Sequence, residues 1–127
     1  MEKNAKKVLI IEDDIYVIRA YTIKFQKENV SVESISDGDK ALEYIEKNPP
    51  TEVVILDLMI PKKSGFEVLT ALKGNKNWKD VPVIILSNLG QDEDIEKGKK
   101  LGAVDYIVKA STNIEEVIAR VKKYLSP

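Results

Sequence analysis

Three short runs in this chain are apolar at nearly every position: Val8 to Ile11, Val53 to Leu56 and Val81 to Leu86. A half-exposed strand alternates apolar and polar residues, so these runs predict strands buried on both faces of a parallel sheet. Tyr106 to Val108 is a fourth, shorter run. Val30 to Ile35 alternates Val30, Val32 and Ile35 with Ser31, Glu33 and Ser34, the pattern of an edge strand.

Helical patterns lie between these runs. Asn113 to Leu125 places Ile114, Val117, Ile118, Val121 and Leu125 on one stripe, with Glu115, Glu116, Arg120, Lys122 and Lys123 outside it. Thr112-Asn113-Ile114-Glu115 at its start predicts a capping box. Asp14 to Glu28, Asp39 to Lys47, Gly65 to Leu72 and Asp92 to Leu101 supply the other helices, with Gly38, Gly65 and Gly102 as boundary signals. In the first helix Val17, Ile18, Tyr21, Thr22 and Phe25 form the inward stripe. Tyr16, Ala20 and Ile23 form a second stripe, which reads equally as tolerated surface or as a docking face for a helical partner. The fourth helix has only Ile95 and Leu101 as clear apolar residues, and Gly98 in its interior costs about 1 kcal/mol relative to Ala, so it is expected to be the least firmly packed. Strand and helix thus alternate five times, which predicts an α/β fold with right-handed crossovers and helices on both faces of the sheet.

Composition narrows the chemistry. With 127 residues, 43% of them hydrophobic, the chain fits one domain spanning 1–127 with a single core. The absence of cysteine and histidine excludes disulfides, thiolate metal sites, a cysteine nucleophile, an imidazole base and a phosphohistidine. A net charge of -1 gives no electrostatic case for binding nucleic acid or a membrane surface directly. No apolar run approaches the ~20 residues that span a bilayer, and the N-terminal segment does not read as a signal peptide, so a cytoplasmic protein is expected. The chain stops just after its last helical pattern, which reads as a stand-alone domain or one cut from a longer protein.

The residues at the strand ends carry the candidate chemistry. The first run is followed by Glu12-Asp13-Asp14, the second by Asp57, the third by Ser87 and the fourth by Lys109. In an open parallel sheet the carboxyl ends of the strands share one edge, and ligands bind there at the switch point of strand order. Converging carboxylates repel one another unless a hard cation shares their oxygens, and Mg²⁺ suits an all-oxygen site that also meets phosphate. A lysine and a hydroxyl opposite would serve phosphoryl oxygens. Singly the signals are weaker: Asp14 reads as a helix cap, Lys109 as a solvated charge and Ser87 as a turn residue. Asp57, between Val-Val-Ile-Leu and Leu-Met-Ile-Pro, has no such ordinary role.

Together these stretches resemble the receiver domains of two-component response regulators. The match runs through Val8-Leu9-Ile10-Ile11-Glu12-Asp13-Asp14, then Leu56-Asp57-Leu58-Met59-Ile60-Pro61 with Ser64-Gly65, Pro82-Val83-Ile84-Ile85-Leu86-Ser87, and Gly102-Ala103-Val104-Asp105-Tyr106-Ile107-Val108-Lys109. The resemblance implies a flavodoxin-like doubly wound (βα)5 fold with strand order 2-1-3-4-5. It implies that Asp57 accepts a phosphoryl group from a phosphohistidine on a sensor histidine kinase or histidine phosphotransfer protein. Asp13, Asp57 and the backbone carbonyl of Met59 would bind Mg²⁺, with Glu12 acting through water. Ser87 and Lys109 would hold phosphoryl oxygens, and Ser87 and Tyr106 would form the switch that moves the fourth helix, fifth strand and fifth helix toward a downstream protein or an output domain outside this chain. Beyond its own phosphorylation and dephosphorylation no enzymatic activity is implied, and since neither Met59 nor Leu89 can orient a water, the phosphoryl group is expected to be lost slowly.

Two positions depart from the family pattern. Ala110 follows Lys109 where proline and a cis bond are usual. Asn88 follows Ser87 where a small residue is usual, and its amide could either crowd the approach to Asp57 or hydrogen-bond the phosphoryl group. A degenerate receiver that only binds protein is the alternative these departures keep open. A flavin carrier fits less well, because Glu12-Asp13-Asp14 stands where a phosphate-binding loop would be needed. An aspartyl phosphatase also fits poorly, because Met59 stands where its second aspartate would be.

Overall fold

The computed structural model describes residues 6–125. Five strands, β1 (Lys6–Ile11), β2 (Val30–Ile35), β3 (Val53–Leu56), β4 (Val83–Ser87) and β5 (Asp105–Val108), form one parallel sheet in the order β2-β1-β3-β4-β5. Five helices alternate with them: α1 (Ile15–Lys27), α2 (Gly38–Lys47), α3 (Gly65–Gly74), α4 (Asp92–Lys100) and α5 (Ile114–Lys122). The flavodoxin-like order expected by resemblance is the one found, with Val30–Ile35 at one edge.

The three continuous apolar runs are the three central strands, and both faces of each are covered. Leu9, Ile11, Val54, Leu56, Val83 and Ile85 point to one side, where they pack against Ala41 and Ile45 of α2 and Val68, Leu69 and Leu72 of α3. Val8, Ile10, Val53, Ile55, Ile84 and Leu86 point to the other, against Tyr21 and Phe25 of α1 and Val117, Ile118 and Val121 of α5. Each fully buried aliphatic or aromatic side chain contributes about 1.5–3 kcal/mol. Trp78, in the α3–β4 connection, is fully buried, donates its indole N–H to the Asn48 carbonyl (3.2 Å) and meets Tyr44 edge-on.

Several local expectations are corrected. β4 starts at Val83, not Val81, since Pro82 has no N–H to join a ladder and Val81 closes a turn onto the Trp78 carbonyl; its last residue is Ser87, which pairs with Val108 of β5. The start of α5 is capped by Asn113, whose side chain accepts from Glu116 N–H, so there is no capping box on Thr112, and the helix ends at Lys122 instead of Leu125. The capping box belongs to α3, where Ser64 and Glu67 bond reciprocally. Asp14 does cap α1, accepting from the N–H groups of Tyr16 and Val17.

Gly98, expected as a defect in α4, is a fitting point. A Cβ there would lie 2.6 Å from Ile85 Cδ1 and 3.2 Å from the Tyr106 ring, so the bare backbone lets this apolar-poor helix approach β4 and β5. α4 is otherwise held by half-buried Ile95 and by Lys97 Nζ, 4.3 Å from the Phe66 ring centre.

Candidate functional site

β1 and β3 are hydrogen-bonded neighbours, with Ile11 opposite Leu56, so the residues following them emerge side by side. The ladder continues one step further, Asp57 N–H bonding the Ile11 carbonyl and Glu12 N–H the Ile35 carbonyl. This extension fixes the backbone of both acidic residues before their side chains enter the crevice. Glu12 and Asp57 are almost fully buried while Asp13 is exposed, and carboxylate oxygens of all three lie within 4.8 Å of one another.

Lys109 reaches this cluster from the end of β5. Its Nζ donates to Glu12 Oε1 (2.7 Å) and to Asp57 Oδ2 (2.9 Å), bridging residues far apart in the chain. The remaining oxygens also have donors: Asp14 N–H reaches Glu12 Oε2 and Met59 N–H reaches Asp57 Oδ1, each at 3.0 Å. Burial pushes the Glu12 carboxyl above its ordinary range, and the Lys109 hydrogen bond opposes this only in part. Burial alone would pull Lys109 down, but its bonds to Glu12 and Asp57 outweigh it and hold the ammonium above its usual pKa. The reading of Lys109 as a solvated charge is thus overturned by a tertiary contact.

The loop after Asp57 is shaped by Gly65. A Cβ at that position would sit 2.5 Å from the Leu58 Cα and 2.6 Å from the Asp57 carbonyl oxygen. The first residue of α3 therefore packs directly on the backbone that carries Asp57, and Gly65 N–H bonds the Leu58 carbonyl (3.0 Å). Met59 lies with its N–H on the Asp57 carboxylate and its side chain 56% exposed.

On the other side, Ser87 is fully buried at the end of β4, its Oγ accepting from Leu89 N–H at 3.4 Å. Tyr106 is buried between α4 and the sheet and donates its hydroxyl to the Leu89 carbonyl. Burial, together with the charges of Asp94 and Asp57, raises its pKa to about 12. The Lys109–Ala110 bond is trans, and residues Lys109–Ser111 form a single 3-10 turn. Asn88 Oδ1 accepts from Ala110 N–H (2.9 Å), a contact that neither sequence-based reading of this side chain included.

Every residue singled out at a strand end therefore comes to the same edge of the sheet, and the family description of the response regulator receiver domain matches residues 8–122. The chain belongs to the response regulator receiver-domain family. This receiver domain is 34% identical over 125 residues to a probable transcriptional regulator, ycf27, of Cyanophora paradoxa, covering 98% of this chain and 50% of that protein. It spans about half the length of such curated relatives. The receiver domain of a Francisella response regulator superposes with a TM-score of 0.85 at 32% identity, covering 94% of this chain and 96% of that one. The BeF3-activated N-terminal receiver domain of Klebsiella pneumoniae RstA gives 0.82 at 31% identity, covering 95% and 99%. Among the described residues of the receiver domain no helix is long and apolar enough to cross a membrane.

Proposed function

We propose that Asp57 is the phosphoacceptor of a cytoplasmic phosphorelay, taking a phosphoryl group from a phosphohistidine on a sensor histidine kinase or histidine phosphotransfer protein. The observation that carries this reading is the Lys109 ammonium held against the buried Asp57 carboxylate at the end of the central strand. Membership of the receiver family supports it, and so does the activation of the RstA receiver by BeF3.

The donor set fits a hard dication. Three carboxylates face one ammonium, leaving two negative charges uncompensated in a half-buried crevice made of oxygen atoms. Asp13, Asp57 and the Met59 carbonyl would hold Mg²⁺, with Glu12 engaged through water. When bound, the ion supplies positive charge to phosphoryl oxygens as they approach carboxylates that would otherwise repel them.

The chain's own residues do the rest. A carboxylate oxygen of Asp57 forms the new bond to phosphorus as the donor's P–N bond breaks, the electron pair leaving with the imidazole nitrogen. Met59 N–H fixes the rotation of the Asp57 carboxylate. Lys109, already beside Asp57, transfers its hydrogen bond to a phosphoryl oxygen, and the Ser87 hydroxyl can turn from Leu89 N–H to donate to another. Loss of the Ser87 contact loosens the loop that also accepts from the Tyr106 hydroxyl. The signal then passes to α4, fastened to the sheet by few apolar side chains, and on to the β5 and α5 face and a downstream protein or an output domain outside this chain. The exposed Tyr16, Ala20 and Ile23 of α1 would dock the helical phosphodonor.

Intact-mass measurement after incubation with acetyl phosphate and Mg²⁺ tests the reading. Wild type should gain one phosphoryl group and Asp57→Asn none. An unmodified wild type would favour a receiver that works only as a binding module.

A further inference from the structure

Three consecutive residues following Leu86 are each tied down. Ser87 Oγ accepts from Leu89 N–H, Asn88 Oδ1 from Ala110 N–H at 2.9 Å, and the Leu89 carbonyl from the Tyr106 hydroxyl. Two of these bonds run across to β5 and to the turn that follows it. The one from Asn88 is unusual in its placement, since it joins the residue after Ser87 to the residue after Lys109. The backbone N–H at Ala110 is a donor, so the Asn88 amide must face it with its oxygen. A proline at position 110 would have no hydrogen to give.

We infer that Asn88 is a positioning residue for Lys109, clamping the Lys109–Ser111 turn to the β4–α4 loop through the Ala110 amide. The inference rests on the reading of Asp57 as phosphoacceptor. Ser87 and Lys109 must engage oxygens of the same phosphoryl group at once, and each lies one residue inside the clamp. Lysine has a long, flexible stem, so the arc its ammonium sweeps depends on how firmly its backbone is held. Here the following peptide is trans and is anchored by a side chain from the neighbouring strand's loop. Both Asn88 and Ala110 are exposed, and the bond contributes no core packing. Its effect is therefore on the geometry of Lys109 more than on global stability.

The test is the rate of phosphorylation by acetyl phosphate, followed by intact mass over a range of donor and Mg²⁺ concentrations. Wild type, Asn88→Ala and Asn88→Leu are compared. With Asn88→Ala the maximal rate should fall about tenfold, the scale of a small misplacement of a reacting group, while the half-saturating Mg²⁺ concentration stays within about twofold. Asn88→Leu keeps a similar side-chain volume but has no oxygen to accept from Ala110 N–H, and it should slow the reaction similarly. An Asn88→Ala rate equal to or above that of wild type would show that the side chain only crowds the site and would overturn the inference. So would an Asn88→Leu rate equal to that of wild type. If wild type itself gains no phosphoryl group, the phosphoacceptor reading fails instead, and the clamp is judged by NMR. Relaxation of the Lys109 side chain should then show greater mobility in Asn88→Ala, and unchanged order overturns the clamp.

Discussion

Replacing Asp13 by Asn should make the protein more stable without divalent cations and less stable with them. The three clustered carboxylates have oxygens within 4.8 Å of one another, and Lys109 bonds only Glu12 and Asp57 among them. At that separation each repulsion is worth about 0.9 kcal/mol at the dielectric of water and about 3.5 kcal/mol at an effective value of 20. Asp13 takes part in two such repulsions and one attraction to the ammonium, so one repulsion is left over. Because Asp13 is exposed, screening brings the net toward the lower figure, and Asp13→Asn should stabilise by about 1.5 kcal/mol. The unfolding entropy of a chain of 127 residues is roughly 0.27 kcal/mol per kelvin, so Tm should rise by about 5 °C in chelator. At Mg²⁺ a hundredfold above its Kd, wild type should gain about 2.7 kcal/mol, or about 10 °C, and overtake the variant, which lacks a ligand. Thermal unfolding can be followed by the fluorescence of Trp78, the only tryptophan, which is fully buried on the sheet face covered by α2 and α3. A lower Tm for Asp13→Asn in chelator would refute the charge count, and an equal rise of both proteins with Mg²⁺ would refute the ligand assignment.

Gly65→Ala forces a Cβ against the Leu58 and Asp57 backbone, where no side chain can yield, and should cost about 2–3 kcal/mol; a drop in Tm of under about 2 °C would contradict this, given the unfolding entropy above. Tyr106, with its pKa raised to about 12, is more stable neutral in the fold, so its contribution is complete below the ordinary tyrosine value and lost as pH rises through about 12. Absorbance titration of the five tyrosines should show a component near pH 12 that Tyr106→Phe removes, while burial also raises Tyr21 and Tyr44, and a titration that the substitution leaves unaltered would refute the assignment. Met59 and Leu89 offer no group to orient a water, so the phosphorylated protein should lose phosphate slowly, and Met59→Asn or Leu89→Glu should speed that loss several-fold. Fast loss in wild type that neither substitution accelerates would count against it.

The sheet was readable from the chain because its signal is local. Strands buried on both faces need unbroken apolar runs, and Val8 to Ile11 and Val53 to Leu56 are such runs whatever surrounds them. The same locality made Glu12, Asp13, Asp57, Ser87 and Lys109 visible as residues that end strands, and strand order then brings them to one edge. Element ends were less legible where chemistries compete. Pro82 shortened β4, and Asn113 took the cap that Thr112 was expected to hold, because the choice between neighbouring capping residues depends on where the preceding turn leaves the chain.

Tertiary structure alone decided what depends on distance between segments. By sequence Gly98 is a weak point in a helix, but in the fold its lack of a side chain lets α4 sit close to Ile85 and Tyr106. Lys109 alone reads as a surface charge, yet beside Glu12 and Asp57 it is the counter-ion of a buried acidic crevice. The partner of Asn88 lies twenty-two residues away, on a backbone amide that leaves no trace in the sequence apart from the absence of proline at position 110. Apolar periodicity reports what a segment must bury, so the chain determined its strands and helices by itself. Which charges meet and which backbones touch depends on pairwise distances that exist only once those segments have packed.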